Sequence, residues 1–140
     1  MNKTIIAHTP EEMEDIGVTL AAILSDGSLV SLVGPLGSGK TTLTKGIAKG
    51  LLITDIVTSP SYLLAREYEG TLRLHHVDAY RLSTFEELTE VGLDELLPPS
   101  KGVTVVEWPE RINGLIDASS ILVEIEMLDD GARRIDIQQH

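Results

Sequence analysis

The sequence predicts an α/β fold in which helices flank a mostly parallel sheet and an antiparallel hairpin follows at the C-terminal end. Two short apolar runs, residues 29–33 and 103–106, are typical of parallel strands that are buried on both faces. The first run leads through a glycine-rich loop into a segment with helical periodicity. Near the end of the chain, apolar and charged residues alternate on both sides of Asp129-Asp130-Gly131, which indicates a hairpin with one solvent-facing side.

Composition limits the possible functions. The 140 residues are enough for one full core, so we expect residues 1–140 to form a single domain. The net charge of −11 disfavours direct contact with RNA or DNA phosphates, so any role on nucleic acid is expected to act through another protein. The absence of cysteine excludes disulfides and fits a reducing cytoplasm. No apolar stretch has the length of a signal peptide or a membrane span, so we expect a cytoplasmic protein without membrane contact.

The first helix is predicted to begin at a capping box. Thr9 is the expected N-cap, Pro10 occupies the first helical position, and Glu12 closes the box. On these residues alone, Thr9 is interpreted as a cap rather than a ligand. The helix is predicted to end at Asp26-Gly27. Its buried face is predicted from four apolar residues: Met13, Ile16, Leu20 and Leu24.

The loop after the first apolar run matches the phosphate-binding pattern G-x-x-x-x-G-K-[ST] in full, from residue 34 to residue 41, and is called the P-loop below. In such a loop the backbone N–H groups converge on a phosphate, helped by the positive end of the helix dipole. Lys40 is expected to reach the β- and γ-phosphates, and the hydroxyl of Thr41 to bind Mg²⁺. The predicted phosphate cradle comprises Gly37, Ser38, Gly39, Lys40, Thr41 and Thr42. The sequence therefore predicts a nucleotide site.

The segment after the P-loop is predicted to be a helix because Leu43, Ile47 and Leu51 recur every four residues. Ala48 and Leu52 widen this apolar stripe. The helix would then start at the loop, which is the arrangement that a phosphate site requires.

The stretch Thr58-Ser59-Pro60-Ser61-Tyr62 places three hydroxyls around a proline. Such a loop either meets a γ-phosphate or metal, as switch loops do, or is an ordinary surface loop. We favour the ordinary loop because Ser-Pro loops are common in proteins of every function.

Two predicted strands, residues 72–78 and 103–107, each end in an acid, Asp78 and Glu107. An acid at a strand end near a P-loop is where a carboxylate binds Mg²⁺ directly or through water. We therefore expect at least one of the two acids to bind metal or position water. The alternative is that either acid is only a cap or an ion-pair partner.

His75 and His76 precede Asp78, and adjacent histidines in a strand face opposite sides. They cannot easily share one metal ion, so we interpret both as structural, with His76 near the site. A second capping box, Ser83-Thr84-Phe85-Glu86, is then predicted to open an acidic helix.

Four stretches together resemble the TsaE family, small P-loop ATPases of bacterial tRNA threonylcarbamoyladenosine synthesis: residues 34–42, Ser59-Pro60-Ser61-Tyr62, His76-Val77-Asp78-Ala79-Tyr80-Arg81-Leu82 and Val106-Glu107-Trp108-Pro109. The P-loop is shared by many NTPases, but H-x-D-x-Y-R-L followed by E-W-P is specific. The resemblance runs from about residue 5 to the hairpin. It implies an ATPase that binds ATP and Mg²⁺ and works with TsaB and TsaD to form the threonylcarbamoyl group on adenosine 37 of tRNAs reading codons that begin with adenine. It implies contact with tRNA only through that complex.

The resemblance also implies roles for individual residues. Thr41 and Glu107 match the Mg²⁺ ligands of the family, and Asp78 matches an aspartate with a proposed catalytic role. Lys40 completes the set of expected catalytic residues.

Further expected nucleotide contacts lie at the two ends of the chain. Thr9 falls where the N-terminal segment of the family approaches the nucleotide, and Trp108 lies beside the site. An arginine of the last strand, Arg133 or Arg134, is expected to contact the nucleotide, and we name Arg133. Pro35 departs from the family, which usually has an acid at this position.

The main alternative is a small-molecule P-loop kinase. A kinase usually has a lid whose arginines close on the phosphates, whereas the six arginines here are scattered and no basic insertion is present. A GTPase is weaker still because no Asn-Lys-x-Asp stretch is present. Arg81 is the one arginine that suggests an arginine finger, a side chain that stabilises charge on the transferred phosphoryl group. Alternatively, Arg81 is a structural ion-pair partner. We therefore expect slow hydrolysis that speeds up with a partner, whose basic patch would meet five acids: Glu86, Glu87, Glu90, Asp94 and Glu95.

Overall fold

The computed structural model describes residues 2–58, 64–82 and 84–140. The strands of its sheet are β1 (Asn2–Ala7), β2 (Leu29–Val33), β3 (Ala65–Tyr68), β4 (Leu74–Asp78), β5 (Val103–Glu107), β6 (Ile121–Met127) and β7 (Arg133–Gln139). The α-helices are α1 (Pro10–Ala21), α2 (Lys40–Gly50), α3 (Phe85–Glu90) and α4 (Leu115–Ala118). The described ranges also contain two 3₁₀ turns, Leu93–Leu96 and Pro109–Arg111. Within the described ranges, no helix has the length and apolar character needed to cross a membrane.

The seven strands form one sheet in the order β1-β7-β6-β2-β5-β4-β3. Its centre is parallel, because β2 pairs in parallel with both β5 and β6, and β4 pairs in parallel with β5. The outer pairs are antiparallel: β3 with β4, β7 with β6, and β1 with β7. The predicted α/β fold class is confirmed, and the predicted hairpin, β6–β7, extends the same sheet.

Apolar side chains fill both faces of the sheet. One cluster packs under α1 and α2 and takes Val30 and Leu32 from β2. A second cluster takes Leu29 from the same strand and packs against α3 and the turns that follow it. Because successive strand residues point to opposite faces, a nearly continuous apolar strand such as β2 serves both clusters, as its sequence predicted.

Helix α1 packs against α2 at backbone distance. A Cβ atom added to Gly17 would lie 2.3 Å from the carbonyl oxygen of Leu43, and one added to Gly46 would lie 2.0 Å from that of Glu14. Only glycine permits this approach. The contact fixes α2, and with it the P-loop that leads into α2, against the rest of the fold.

The start of α1 follows the prediction, whereas its end differs. The Oγ1 atom of Thr9 accepts a hydrogen bond from the Glu12 amide at 3.1 Å, which confirms the cap, and the four predicted apolar residues are buried. The carboxylate of Glu12 accepts from the amide of His8 at 3.0 Å, one residue before the position that a capping box uses. The predicted end at Asp26-Gly27 is wrong by five residues, because residues 22–24 donate to carbonyls three positions back and tighten the chain into a turn.

Two predicted apolar positions are exposed. Leu52 follows α2 in a left-handed conformation with φ of 59° and is 71% exposed, so it does not widen the buried stripe. Met127, the last apolar residue of the alternation predicted for the first hairpin strand, is 44% exposed because β6 emerges from the core at its last residues. Helix α3 is capped by Thr84, whose Oγ1 accepts from the Glu87 amide at 3.2 Å, one residue later than predicted. Ser83 and the predicted loop residues 59–62 lie outside the described residues.

Candidate nucleotide site

The P-loop joins β2 to α2 and contains two residues in the left-handed region. Gly37 has φ of 78° and Gly39 has φ of 107°, conformations that residues with a Cβ rarely adopt. A turn forms inside the loop, where the Ser38 amide donates to the Pro35 carbonyl at 3.1 Å. Helix α2 begins at Lys40 with no side-chain cap on its first amides. Its N-terminal N–H groups therefore stay available to an anion.

The side chain of Lys40 is buried at the mouth of this loop, with 5% exposed. Its Nζ atom donates to the carbonyl of Gly34 at 2.8 Å and lies 3.6 Å from the ring centroid of Trp108, a cation–π contact. Burial lowers the pKa of Lys40, while the carboxylates of Glu107, Glu110 and Asp78 act to raise it. The ammonium therefore lies in a desolvated position, where a bound anion would gain most from it.

The structure brings the predicted phosphate-binding and acidic residues to one place. Asp78 and Glu107 are partners in the parallel register of β4 and β5, at the C-terminal end of each strand. Both face a cavity of about 290 Å³, called the carboxylate cavity below. The cavity is lined by Leu36, Gly37, Gly39, Lys40, Thr41, Thr42, Asp78, Glu107 and Trp108.

Each carboxylate is held by a different partner. One oxygen of Asp78 accepts from the Tyr80 amide at 2.9 Å. One oxygen of Glu107 lies 2.6 Å from Nε2 of His76, and both of these side chains are buried. Because a carboxylate only accepts, we assign the hydrogen to Nε2. Nδ1 of His76 is buried and has no partner within the described part of the chain.

The two histidines face opposite sides, as predicted. His75 points away from the site, with Nδ1 3.5 Å from a carboxylate oxygen of Glu67. Within the described ranges, no three His, Cys, Asp or Glu side chains gather as a metal site would require. The chain nevertheless fits Mg²⁺, since that ion takes only one or two carboxylates beside phosphate oxygens and water. The hydroxyl of Thr41 and the carboxylate of Glu107 line the same cavity and would serve as its ligands.

Trp108 adopts a backbone conformation that is rare for a residue with a side chain. Its φ of 60° lies in the left-handed region, which costs about 1–3 kcal/mol. This turn carries the indole over Lys40. Tyr80 packs edge-on against the indole, with ring centroids 5.1 Å apart, and the guanidinium of Arg111 lies 4.6 Å from the Tyr80 ring centroid. Sequence analysis named Tyr80 only as part of a motif and missed its stacking, as it missed Arg111 and the charge of Glu110 near Lys40, because no residue pattern marks such contacts.

A second cavity, of about 180 Å³, lies on the other side of the P-loop and is called the Thr9 cavity below. Thr9 is one of the residues that line this cavity, so it has two roles, since it also caps α1. Arg133 faces the P-loop here, whereas Arg134 forms ion pairs with Glu126 at 2.5 Å and Asp136 at 3.5 Å. Of the two arginines considered, only Arg133 borders this cavity. Its lining is Ala7, His8, Thr9, Pro10, Met13, Gly37, Ser38, Gly39, Thr42, Gly131 and Arg133.

The parallel sheet, the glycine loop between β2 and α2, and the two carboxylates at neighbouring strand ends define an α/β protein of the P-loop type. A family model described as threonylcarbamoyl adenosine biosynthesis protein TsaE matches residues 7–135. The chain therefore belongs to the TsaE family.

Relatives and a solved structure support this assignment. The chain is 34% identical over 132 residues to the tRNA threonylcarbamoyladenosine biosynthesis protein TsaE of Treponema pallidum, covering 94% of this chain and 97% of the relative. It is 40% identical over 127 residues to the protein of the same name from Bacillus subtilis, covering 90% and 78%. The crystal structure of YdiB from Bacillus subtilis is similar, with a TM-score of 0.80, 34% identity, and coverage of 99% of this chain and 86% of that one.

Proposed function

We propose that this protein is a Mg²⁺-dependent ATPase that acts with TsaB and TsaD in forming the threonylcarbamoyl group on adenosine 37 of tRNA. Membership of the TsaE family supports the role in tRNA threonylcarbamoyladenosine biosynthesis. The observation that supports ATP binding is that the Thr9 cavity and the carboxylate cavity share Gly37, Gly39 and Thr42 of the P-loop. A nucleotide can therefore extend from one cavity to the other along the loop.

The two cavities suit different parts of the nucleotide. Ala7, Pro10 and Met13 give the Thr9 cavity apolar walls, which suit the faces of a purine base. Lys40 and the first amides of α2 face the carboxylate cavity, where they would bind the β- and γ-phosphates. Adenine is favoured because the chain has no Asn-Lys-x-Asp stretch for guanine.

The acidic edge of the carboxylate cavity supplies the catalytic groups. The Thr41 hydroxyl and the Glu107 carboxylate would hold Mg²⁺. The ion would supply positive charge that neutralises the phosphates. Asp78 would orient the attacking water. Its carboxylate is preoriented for that role because the Tyr80 amide fixes one of its oxygens.

The distribution of arginines supports activation by a partner. Among the described residues, the lining of the carboxylate cavity contains no arginine. Arg111 stacks on Tyr80, and Arg133 is bonded to loop carbonyls. An arginine finger typically contributes about 10³–10⁵ in rate and is often supplied by a partner. We therefore expect slow hydrolysis by the isolated protein.

Steady-state ATP hydrolysis tests this proposal. The rate is measured for the purified protein, then with its TsaB and TsaD counterparts, then with tRNA added. We expect slow turnover alone, and a rise on addition of the partner proteins together with modification of the tRNA. Fast turnover alone, or transfer of phosphate to a small acceptor, would contradict the accessory role and favour a kinase.

A further inference from the structure

The guanidinium of Arg133 donates to three backbone carbonyls. Its Nε atom donates to the carbonyl of Ser38 at 3.1 Å, and Nη2 donates to that of Gly37 at 3.3 Å. Its Nη1 atom donates to the carbonyl of Gly131 at 2.7 Å. The first two carbonyls belong to the P-loop and the third to the turn between β6 and β7. A single side chain therefore joins the C-terminal hairpin to the P-loop.

These bonds set the direction of the loop amides. In a trans peptide the C=O and the N–H of the same unit point in opposite directions. Because the Ser38 carbonyl points at Arg133, the Gly39 amide of the same unit points away from Arg133. The Gly37 carbonyl also points at Arg133, and the Ser38 amide of that unit donates to Pro35 on the opposite side. Arg133 therefore orients two successive peptide units of the predicted phosphate cradle.

The loop needs such an external partner because its own sequence is permissive. Gly37 and Gly39 flank Ser38, and glycine restricts its backbone less than any other residue. Orienting their peptide units before a ligand arrives would lower the entropic cost of binding phosphate.

We propose that Arg133 is a positioning residue, which holds the peptide units of residues 37–39 so that the Gly39 amide is turned toward a bound phosphate. This role rests on the proposed nucleotide site. The effect of Arg133 on the loop is nevertheless present without ligand, so the positioning role and the nucleotide site can be tested separately.

Arg134 provides a matched control. It is the next residue on β7 and carries the same charge, but it pairs with Glu126 and Asp136 instead of the loop. Arg134→Ala therefore removes equal charge at nearly the same place. Arg133→Lys keeps the charge and most of the aliphatic stem but lacks the planar fork that reaches three carbonyls.

The first measurement is hydrogen exchange of the ligand-free protein, read by NMR at the Ser38 amide, which the loop turn protects through its bond to the Pro35 carbonyl. We expect exchange about tenfold faster in Arg133→Ala and Arg133→Lys, and a wild-type rate in Arg134→Ala. Thermal melting shows whether each variant is folded. If Arg133→Ala does not fold, the comparison of Arg133→Lys with the wild type is enough for the test. Wild-type exchange in a folded Arg133 variant would overturn the proposal.

The second measurement compares the affinities for ATP and for inorganic pyrophosphate, which has no nucleoside. We expect Arg133→Ala to weaken both by a similar factor, about tenfold, and Arg134→Ala to weaken neither. A loss for ATP alone would show that Arg133 contacts the nucleoside and would overturn the positioning role. Wild-type protein that binds neither ligand would overturn the proposed function, while the exchange result would still decide whether Arg133 orders the loop.

Discussion

Helix α2 takes part in two regions that differ in how their residues are used. Along its length Gly46 and Gly50 pack against α1 so closely that added Cβ atoms would lie 2.0 Å from Glu14 O and 2.5 Å from Ala21 Cβ. At its first residue, Lys40 places a buried ammonium beside Trp108 and in the same cavity as Glu107, whose carboxylate is bonded to the buried His76.

Packing alone explains the α1–α2 interface. It does not explain the loop edge of the sheet, the region formed by the P-loop and the ends of β4 and β5 at Asp78 and Glu107. A buried charge, an imidazole nitrogen with no partner among the described residues, and a left-handed tryptophan each raise the free energy of the folded state. Such features persist where a site uses them. Substitutions at the helix interface should therefore cost stability, and substitutions at the loop edge should cost ligand binding instead.

The largest expected effect is at the helix interface. Gly46→Ala should lower the free energy of unfolding by about 3 kcal/mol, because the new methyl group meets the Glu14 backbone. The gain in helix propensity, about 1 kcal/mol, is too small to offset this. Urea denaturation measures the change, with the exposed Lys45→Ala as control in the same helix. A Gly46→Ala protein as stable as the wild type would contradict the close-packing account.

A second effect is expected behind the carboxylate cavity. His76→Leu removes the donor that orients Glu107, so the affinity of the nucleotide complex for Mn²⁺, a spectroscopic substitute for Mg²⁺, should fall about tenfold. His76→Gln keeps an N–H donor and should retain most of that affinity. Electron paramagnetic resonance of free Mn²⁺ gives both values. Equal metal affinity in the leucine variant and the wild type would argue against Glu107 as a ligand.

The smallest effect has the opposite sign. Lys40→Met removes a buried charge and should stabilise the ligand-free protein by about 1 kcal/mol at pH 7. Burial lowers the pKa of Lys40, so the unfolded chain binds this proton more tightly than the folded protein. Wild-type stability should then rise with pH between the lowered value and 10.5, and the advantage of the variant should shrink there. Urea denaturation at pH 7 and pH 10 measures both, and a less stable variant at pH 7 would show that the contacts of Lys40 outweigh its burial.

The strands at the centre of the sheet could be predicted from the sequence, whereas the strands at its two edges could not. Strands β2 and β5 are mostly apolar because they are buried on both faces, and the β6–β7 hairpin alternates because one face meets solvent. Strands β1 and β3 lie at the two edges and are largely exposed, so no apolar pattern marks them.

The site divides in a similar way. Lys40 and Thr41 could be predicted because the P-loop is contiguous, and Asp78 and Glu107 because both end core strands. The His76–Glu107 bond and the Arg133 contacts join residues 31 and 95 positions apart, so they depend on register and tertiary packing. Whether Thr41, Glu107 and Asp78 perform the predicted metal and catalytic roles stays a prediction.

Titration calorimetry with ATP and Mg²⁺ tests the central claim most directly. The P-loop should give the wild-type protein saturable binding of one ATP per chain. Lys40→Met, shown by thermal melting to be folded, should show no measurable binding, because it lacks the ammonium that faces the phosphates. Wild-type protein that does not bind ATP, or a lysine variant that binds as tightly as the wild type, would contradict the assignment of the loop edge as a nucleotide site.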